Sequence, residues 1–299
     1  MEEDQPGIAA TAGANLVTVS LASGDEVAAE VGPGLDYVVV GDHVTVRRTG
    51  DGGDGWTLTS IGERRSTFWR LRGDFTRSDA SIQQRHVIAA NIDLVVVVVA
   101  AAHPKFRPSQ LDNYLLLAEH SDVTPLICVN KCDLAELDLS EYEGLGYGIV
   151  RTSTKAPIGL DDLRAAITGK TSVFVGSSGV GKTSLLNALA PEAGLKTSYV
   201  GKKSDRGRHT TTKSFILRLD DDTIVIDTPG TRALQVLQID ADELPEYFPE
   251  FDGLAESCRF RNCSHLHEPD CAVQAAVASG AISPARYATY RRIAERTAR

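Results

Sequence analysis

The sequence predicts a multi-domain chain: an N-terminal all-β, OB-like barrel, a central doubly wound α/β domain, and a C-terminal, mainly helical segment holding a cysteine–histidine cluster. Three observations predict it. Short β-rich runs with close turns fill residues 16–61, apolar strand runs then alternate with helix-favouring stretches, and beyond residue 236 the strand pattern stops and three cysteines gather around a histidine. At 299 residues the chain exceeds what one core usually sustains, which fits a division into residues 1–74, 75–236 and 237–299.

The first part rests on LVTVSL (16–21), EVAAEV (26–31), YVVVGDHVTVRR (37–48) and WTLTSI (56–61), with SGD, GPG, GD (41–42) and DGGDG as turn signals. Such runs suit a small closed sheet of five strands, and an all-β module without a ligand fits the same pattern. The preceding MEEDQPGIAATAGAN reads as a flexible acidic arm without the charged-then-apolar order of a signal peptide. With 42% hydrophobic and 24% charged residues, the composition is that of a soluble globular protein. The longest apolar run, LVVVVVAAA (94–102), is too short to cross a bilayer and suits a buried strand. A net charge of -9 argues against a protein that coats DNA or RNA, while leaving room for a local basic patch. The expectation is a cytoplasmic monomer without a membrane or DNA partner. Five cysteines, an odd number, fit a reducing compartment and metal binding better than a disulfide framework.

In the central part, SVFVGSSGVGKTS places Gly176, Ser177, Ser178, Gly179, Val180, Gly181, Lys182, Thr183 and Ser184 on the G-x-x-x-x-G-K-[ST] pattern, after a strand and before a helix. Glycines let backbone N–H groups wrap phosphates, the helix N-terminus adds positive potential, Lys182 reaches the β/γ oxygens and Thr183 offers its hydroxyl to Mg²⁺. TIVIDTPG ends the next apolar strand with Asp227, suited to hold Mg²⁺ directly or through water, and Gly230, whose N–H can approach a γ-phosphate. Between them, KKSDRGRHTTTK carries Thr210, Thr211 and Thr212, any one of which can close on the metal in the triphosphate state. Earlier in the chain, NKCD supplies Asn130, Lys131, Cys132 and Asp133. A carboxylate at Asp133 accepts the adjacent N1–H and amino group of guanine and would be left unpaired by adenine. Asn130 would tie this loop to the phosphate loop, the Lys131 stem can cover the base, and Thr152 and Ser153 follow the next strand where a backbone contact to the guanine oxygen is expected. GTP and GDP are therefore the expected ligands.

These strings run NKCD, TST, phosphate loop, TTT, DTPG. Moving the first two to the end restores the usual GTPase order, so the chain is cyclically rotated, with the same strands and a different cut. With IAANIDLVVVVVAA (88–101), NKCD, GSSGVGKTS, GRHTTT, DTPG and CRFRNCSHLHEPDC in this order, the sequence resembles the RsgA/YjeQ family of circularly permuted GTPases. The resemblance spans most of the chain. It implies an OB domain, a permuted P-loop GTPase domain and a zinc domain, with GTP hydrolysis in late maturation of the small ribosomal subunit, binding to its rRNA, and stimulation by the subunit. It also implies that His209, before the threonines, orients the attacking water, because the usual glutamine is missing and Thr231 follows Gly230. The alternatives are that His209 only contacts rRNA, or that the ribosome orients the water.

CRFRNCSHLHEPDC offers Cys258, Cys263, His265 and Cys271, and three thiolates with one imidazole make a closed, structural Zn²⁺ site. On spacing alone His267 competes as fourth ligand; the family motif favours His265. For RNA, basic residues lie at Arg64, Arg65, Arg70 and Arg72 around Phe68 and Trp69, at Lys202, Lys203, Arg206 and Arg208, and at Arg291, Arg292, Arg296 and Arg299. A solvated face accounts for any one of these clusters equally well.

Overall fold

The computed structural model describes residues 4–49, 55–71, 85–156, 158–193, 215–227, 239 and 242–297. Five strands, β1 (Gln5–Ala9), β2 (Leu16–Leu21), β3 (Glu26–Val31), β4 (His43–Thr49) and β5 (Gly55–Ile61), close a barrel in the order β1-β2-β3-β5-β4. Alternate inward residues, among them Val17, Val19, Val44, Val46 and Leu58, fill it. One feature differs from the sequence reading. Residues 5–9, expected in the acidic arm, form the strand that pairs with both β2 and β4 and closes the barrel. QPGIA has little β propensity, and its glycine is there for closeness: a Cβ on Gly7 would lie 2.5 Å from Val19 Cγ1. Gly41, at φ 89°, turns the chain between YVVV and HVTVRR, where the sequence carries its GD turn signal.

A hairpin of β6 (Thr67–Leu71) and β7 (Arg85–Ala90) follows, its strands lying on either side of the expected 74/75 boundary. The barrel abuts it tightly. Ala90 N–H donates to Val40 O at 2.9 Å, Asn91 Nδ2 donates to Gly41 O at 2.9 Å, and a Cβ on Gly41 would meet Ala90 O at 2.2 Å. Asp42, fully buried beside this contact, accepts two bonds from Arg64, at 2.7 and 2.8 Å, and one from Val39 N–H at 2.8 Å. A buried carboxylate needs that full complement of donors.

The central sheet comprises β8 (Leu94–Ala100), β9 (Thr124–Asn130), β10 (Gly148–Arg151), β11 (Thr171–Val175), β12 (Phe215–Arg218) and β13 (Ile224–Asp227), in the order β10-β9-β8-β11-β13-β12. All pairings are parallel except that of β12 with β13. Every residue of β8 is buried, as expected of a strand covered on both faces. Its residues alternate between two cores. Val95, Val97 and Val99 pack with α1 (Pro108–His120) and the C-terminal region, whereas Val96 and Val98 pack with α3 (Leu160–Ile167) and α4 (Lys182–Leu189). A short α2 (Ser140–Gly144) joins β9 to β10. From β8 the chain steps outward to β9 and β10, then returns to the other side of β8 with β11. The strand order therefore reverses between β8 and β11, and in open α/β sheets ligands bind in the crevice beyond such a point.

The C-terminal region consists of short 3-10 turns, α5 (Ala272–Ser279) and α6 (Pro284–Thr297). It is clamped to the sheet by a buried charge cluster. Arg286 donates to Asp112 of α1 at 2.9 Å and makes two bonds to Glu250, at 2.7 and 2.9 Å. Asp112 accepts further bonds from Tyr142, at 2.8 Å, and Thr289, at 2.7 Å. Arg286 and Asp112 are only 3% and 2% exposed, so truncating Arg286 would strand two desolvated carboxylates. Arg286→Ala is expected to lower unfolding free energy by about 3–5 kcal/mol in urea titrations.

Candidate functional site

Crevice geometry begins with β11, which delivers the chain into a loop at 176–181 followed directly by α4. Gly176 and Gly181 have φ of 144° and 101°, outside the usual range of L side chains. Space forbids a side chain as well: a Cβ would meet Val98 O at 2.3 Å from Gly176 and Asn130 Nδ2 at 2.2 Å from Gly181. Lys182, the first residue of α4, lays its ammonium across the loop, donating to Gly176 O at 2.5 Å and Ser177 O at 3.3 Å. Thr183 and Ser184 occupy the first turn of α4. One strand over, Asp227 ends β13 in register with Phe174 of β11. Burial pushes its carboxyl pKa upward and the charge of Lys182 opposes the shift, so the acid and the loop lysine share one field.

On the other side of β8, β9 ends at Asn130, which is 1% exposed. Its amide donates to Val180 O at 2.9 Å, joining the two loops. Thr152 backs this residue, its hydroxyl bonding Val129 O at 3.3 Å and Asn130 Oδ1 at 3.4 Å. Lys131, held at φ 63°, spans the same gap by donating to Gly179 O at 2.7 Å and to His103 O. Its pKa is lowered, first by desolvation and then by Lys155. Cys132 N–H donates to Thr152 O at 3.1 Å. Ser153 donates its hydroxyl to Asp133 Oδ1 at 2.6 Å and accepts the Lys155 and Ala156 amides at 3.2 and 3.1 Å. The exposed carboxylate of Asp133 is thus oriented by a serine that is itself fixed.

The structure brings residues 130–133, 152–153, 176–184 and 227 to one edge of the sheet. His209, Thr210, Thr211, Thr212 and Gly230 lie outside the described residues. Two neighbours of the site had no sequence signal. His103 lends only its carbonyl, and Gln110 accepts from Ser177 Oγ at 3.1 Å through an otherwise ordinary helix position.

In the C-terminal region the ligand atoms of Cys258, Cys263, His265 and Cys271 all lie within 4.8 Å of one another. Cys258 Sγ is 3.9 Å from Cys271 Sγ, and His265 Nδ1 is 3.6 and 3.4 Å from these two sulfurs. Zn–S and Zn–N bonds at tetrahedral angles imply about 3.8 Å between sulfurs and about 3.6 Å from sulfur to nitrogen, so the donor set fits that ion. His265 is 2% exposed and is positioned by a Tyr287 hydroxyl donating to its carbonyl at 2.6 Å. Its neighbour His267 is exposed and lies outside the cluster.

Comparison with known proteins places this geometry. The family model described as RsgA GTPase matches residues 63–237. The chain belongs to the RsgA GTPase family. It is accordingly a GTP-hydrolysing enzyme. A relative from Geobacillus sp. (strain WCH70), the small ribosomal subunit biogenesis GTPase RsgA, is 38% identical over 260 residues, covering 84% of this chain and 82% of its own. Among solved structures, YjeQ from Thermotoga maritima superposes with a TM-score of 0.73 at 29% identity, covering 99% of each chain. YloQ, a circularly permuted GTPase, gives 0.70 at 29% identity, covering 99% of this chain and 96% of its own. The family's permuted order explains why the NKCD string precedes the GSSGVGKTS string.

Within this family fold, one sequence expectation needs correction. Phe68 and Trp69, set among the arginines offered as an RNA-contacting cluster, are 0% and 5% exposed and pack in the core under α1, so their rings are not available for stacking. The same-strand alternation is overridden because the β6–β7 register shifts between these two residues. Arg64 and Arg65 beside them are engaged by Asp42 and Asp93. For the nucleotide loops, Gly181→Ala is expected to keep the circular dichroism of the wild type and lower guanine-nucleotide affinity at least about tenfold in a fluorescence titration, because the loop must reshape around Asn130.

Proposed function

We propose that this chain binds the maturing small ribosomal subunit in its GTP state, hydrolyses GTP with stimulation by the subunit, and leaves as the GDP form. The observation that supports the guanine reading is the Asn130–Val180 bond, which ties the loop bearing Asp133 to the glycine loop. The relatives' name, small ribosomal subunit biogenesis GTPase, supports the subunit as partner. We assign residues 1–74 to the barrel domain, 75–236 to catalysis and 237–299 to the zinc region, with rRNA as the surface recognised. The chain acts in this reading as a cytoplasmic monomer without DNA or membrane partners, and no helix among the described residues is long and apolar enough to cross a membrane.

In this assignment the amides of 176–184 cradle the phosphates and Lys182 neutralises charge that grows on the β/γ oxygens. Thr183 and Asp227 hold Mg²⁺, whose contribution is electrostatic stabilisation of the phosphoryl group. Asp133 reads the guanine N1–H and amino group, Lys131 covers the base, and the backbone near Thr152 and Ser153 faces the guanine oxygen. One of Thr210, Thr211 and Thr212 closes on the metal, Gly230 approaches the γ-phosphate, and His209 orients water. The cysteine–histidine cluster holds one structural Zn²⁺, which a segment of short turns and two helices needs as a staple.

GTP and ATP turnover, measured with and without purified small subunits, tests the reading. GTP is expected to be preferred and its hydrolysis raised by subunits; a preference for ATP overturns the base assignment, and no stimulation reduces the protein to a GTP-regulated switch. Asp133→Asn is expected to weaken GTP binding about 10- to 100-fold and favour xanthosine triphosphate, whose carbonyl accepts from the new amide. His209→Ala should lose subunit-stimulated turnover, and intact turnover removes its catalytic role. Metal analysis is expected to return one zinc per chain, lost in Cys258→Ala together with thermal stability; absence of zinc in protein as stable as that variant removes the metal assignment.

A further inference from the structure

Helix α1 lies next to the site without belonging to any nucleotide motif, and three of its residues make polar contacts in two directions. Gln110, in its first turn and exposed, accepts from Ser177 Oγ of the phosphate loop at 3.1 Å. Two residues later, Asp112 faces the opposite way and is 2% exposed, bonded to Arg286 and Thr289 of α6 at 2.9 and 2.7 Å. Asn113 then accepts from Arg292 of α6 at 3.2 Å. Leu111, between the two contacts, is fully buried against the sheet, so the helix cannot roll to change one contact while keeping the other. Preceding α1, the segment that begins at His103 is tied to the base loop by Lys131.

We propose that Gln110 is a positioning residue for GTP hydrolysis, holding Ser177 of the phosphate loop, and that the Asp112–Arg286–Thr289 cluster fixes Gln110, so that α6 reaches the loop through one turn of α1. Three physical points carry this. Ser177 follows Gly176, whose backbone is pinned under Val98, so the hydroxyl of Ser177 is where the loop's path can still be constrained by a side chain. The partner of that hydroxyl sits on a helix whose placement is fixed by buried, fully paired charges, and such clusters specify position more than they add stability. The cluster belongs to the C-terminal region, so any force on α6 from a docked partner acts on the phosphate loop through a helix of fixed length, without passing through the segments that close on the metal.

This inference rests on residues 176–184 being the phosphate loop, and the experiment separates the two. Steady-state GTP hydrolysis, nucleotide affinity and thermal unfolding are measured for the full chain and for Gln110→Ala, Ser177→Ala, their double variant, Thr289→Val, Thr289→Val with Gln110→Ala, and Lys182→Ala. Gln110→Ala is expected to lower kcat about 2- to 10-fold with KM and melting temperature unchanged, as for loss of one modest hydrogen bond. Ser177→Ala should abolish that effect, making the double variant no worse than the worse single one. Thr289→Val should lower kcat in the wild-type background and do so less when Gln110 is absent. Additive effects of Gln110→Ala and Ser177→Ala, an unchanged kcat in Gln110→Ala, or a parallel loss of stability overturns the positioning role. Equal effects of Thr289→Val in both backgrounds overturn the link to α6. Wild-type turnover in Lys182→Ala would instead overturn the phosphate-loop assignment itself.

Discussion

The bond from Asn130 Nδ2 to Val180 O is the constraint on which the site depends. It joins the ends of β9 and β11, which are not neighbours: β8 lies between them. Two loops that leave the sheet on either side of a strand would otherwise diverge with the sheet's twist. A buried amide donor that has one acceptor within reach resists that divergence, because losing the bond leaves a polar group stranded in the core. The glycine requirement at 181 follows from the same contact, since the amide occupies the space a Cβ would need. Lys131 repeats the tie outside, so base loop and phosphate loop form one rigid edge.

Much of this was legible before any coordinates. The apolar runs became β8, β9, β11 and β13 because strands covered on both faces carry little but apolar residues, and that texture is local; β10, at the edge of the sheet, is only partly buried. The nucleotide strings were legible because glycine, lysine and carboxylate at fixed offsets reflect chemistry more than fold. The order of the strings disclosed the rotated cut. β1 was hidden because its proline and glycine disfavour a strand on sequence, while Gly7 is required by the close approach to Val19. Phe68 and Trp69 were misread for a related reason: aromatic residues beside arginines look like an RNA surface, and only the partner strand and α1 show that they are core.

The charge cluster at Arg286 was hidden more deeply. Asp112, Glu250 and Arg286 are separated by long stretches of chain, and each looks like a surface residue in its own segment. Together they do what a hydrophobic seam alone would do less specifically. They define which face of α6 meets α1, and a slip by one helical turn would leave three charges buried and unmatched. The C-terminal region is thereby a second cover for the α/β sheet, sharing its core with β8, β9 and α1. Its cysteine–histidine cluster adjoins that shared core: Cys271 is part of it, and the His265 ring packs edge-on against Phe251, which packs in turn against Tyr290.

The early position of the base loop has a consequence for synthesis. A chain made from its N-terminus exposes β8, β9 and β10 well before β11 and its glycine loop leave the ribosome. During that interval Asn130 has no Val180 to hold, and the tie between the two loops cannot form. The two loops are therefore joined only once β11 and residues 176–181 have been made, so the edge that carries both is a late product of the chain's own order.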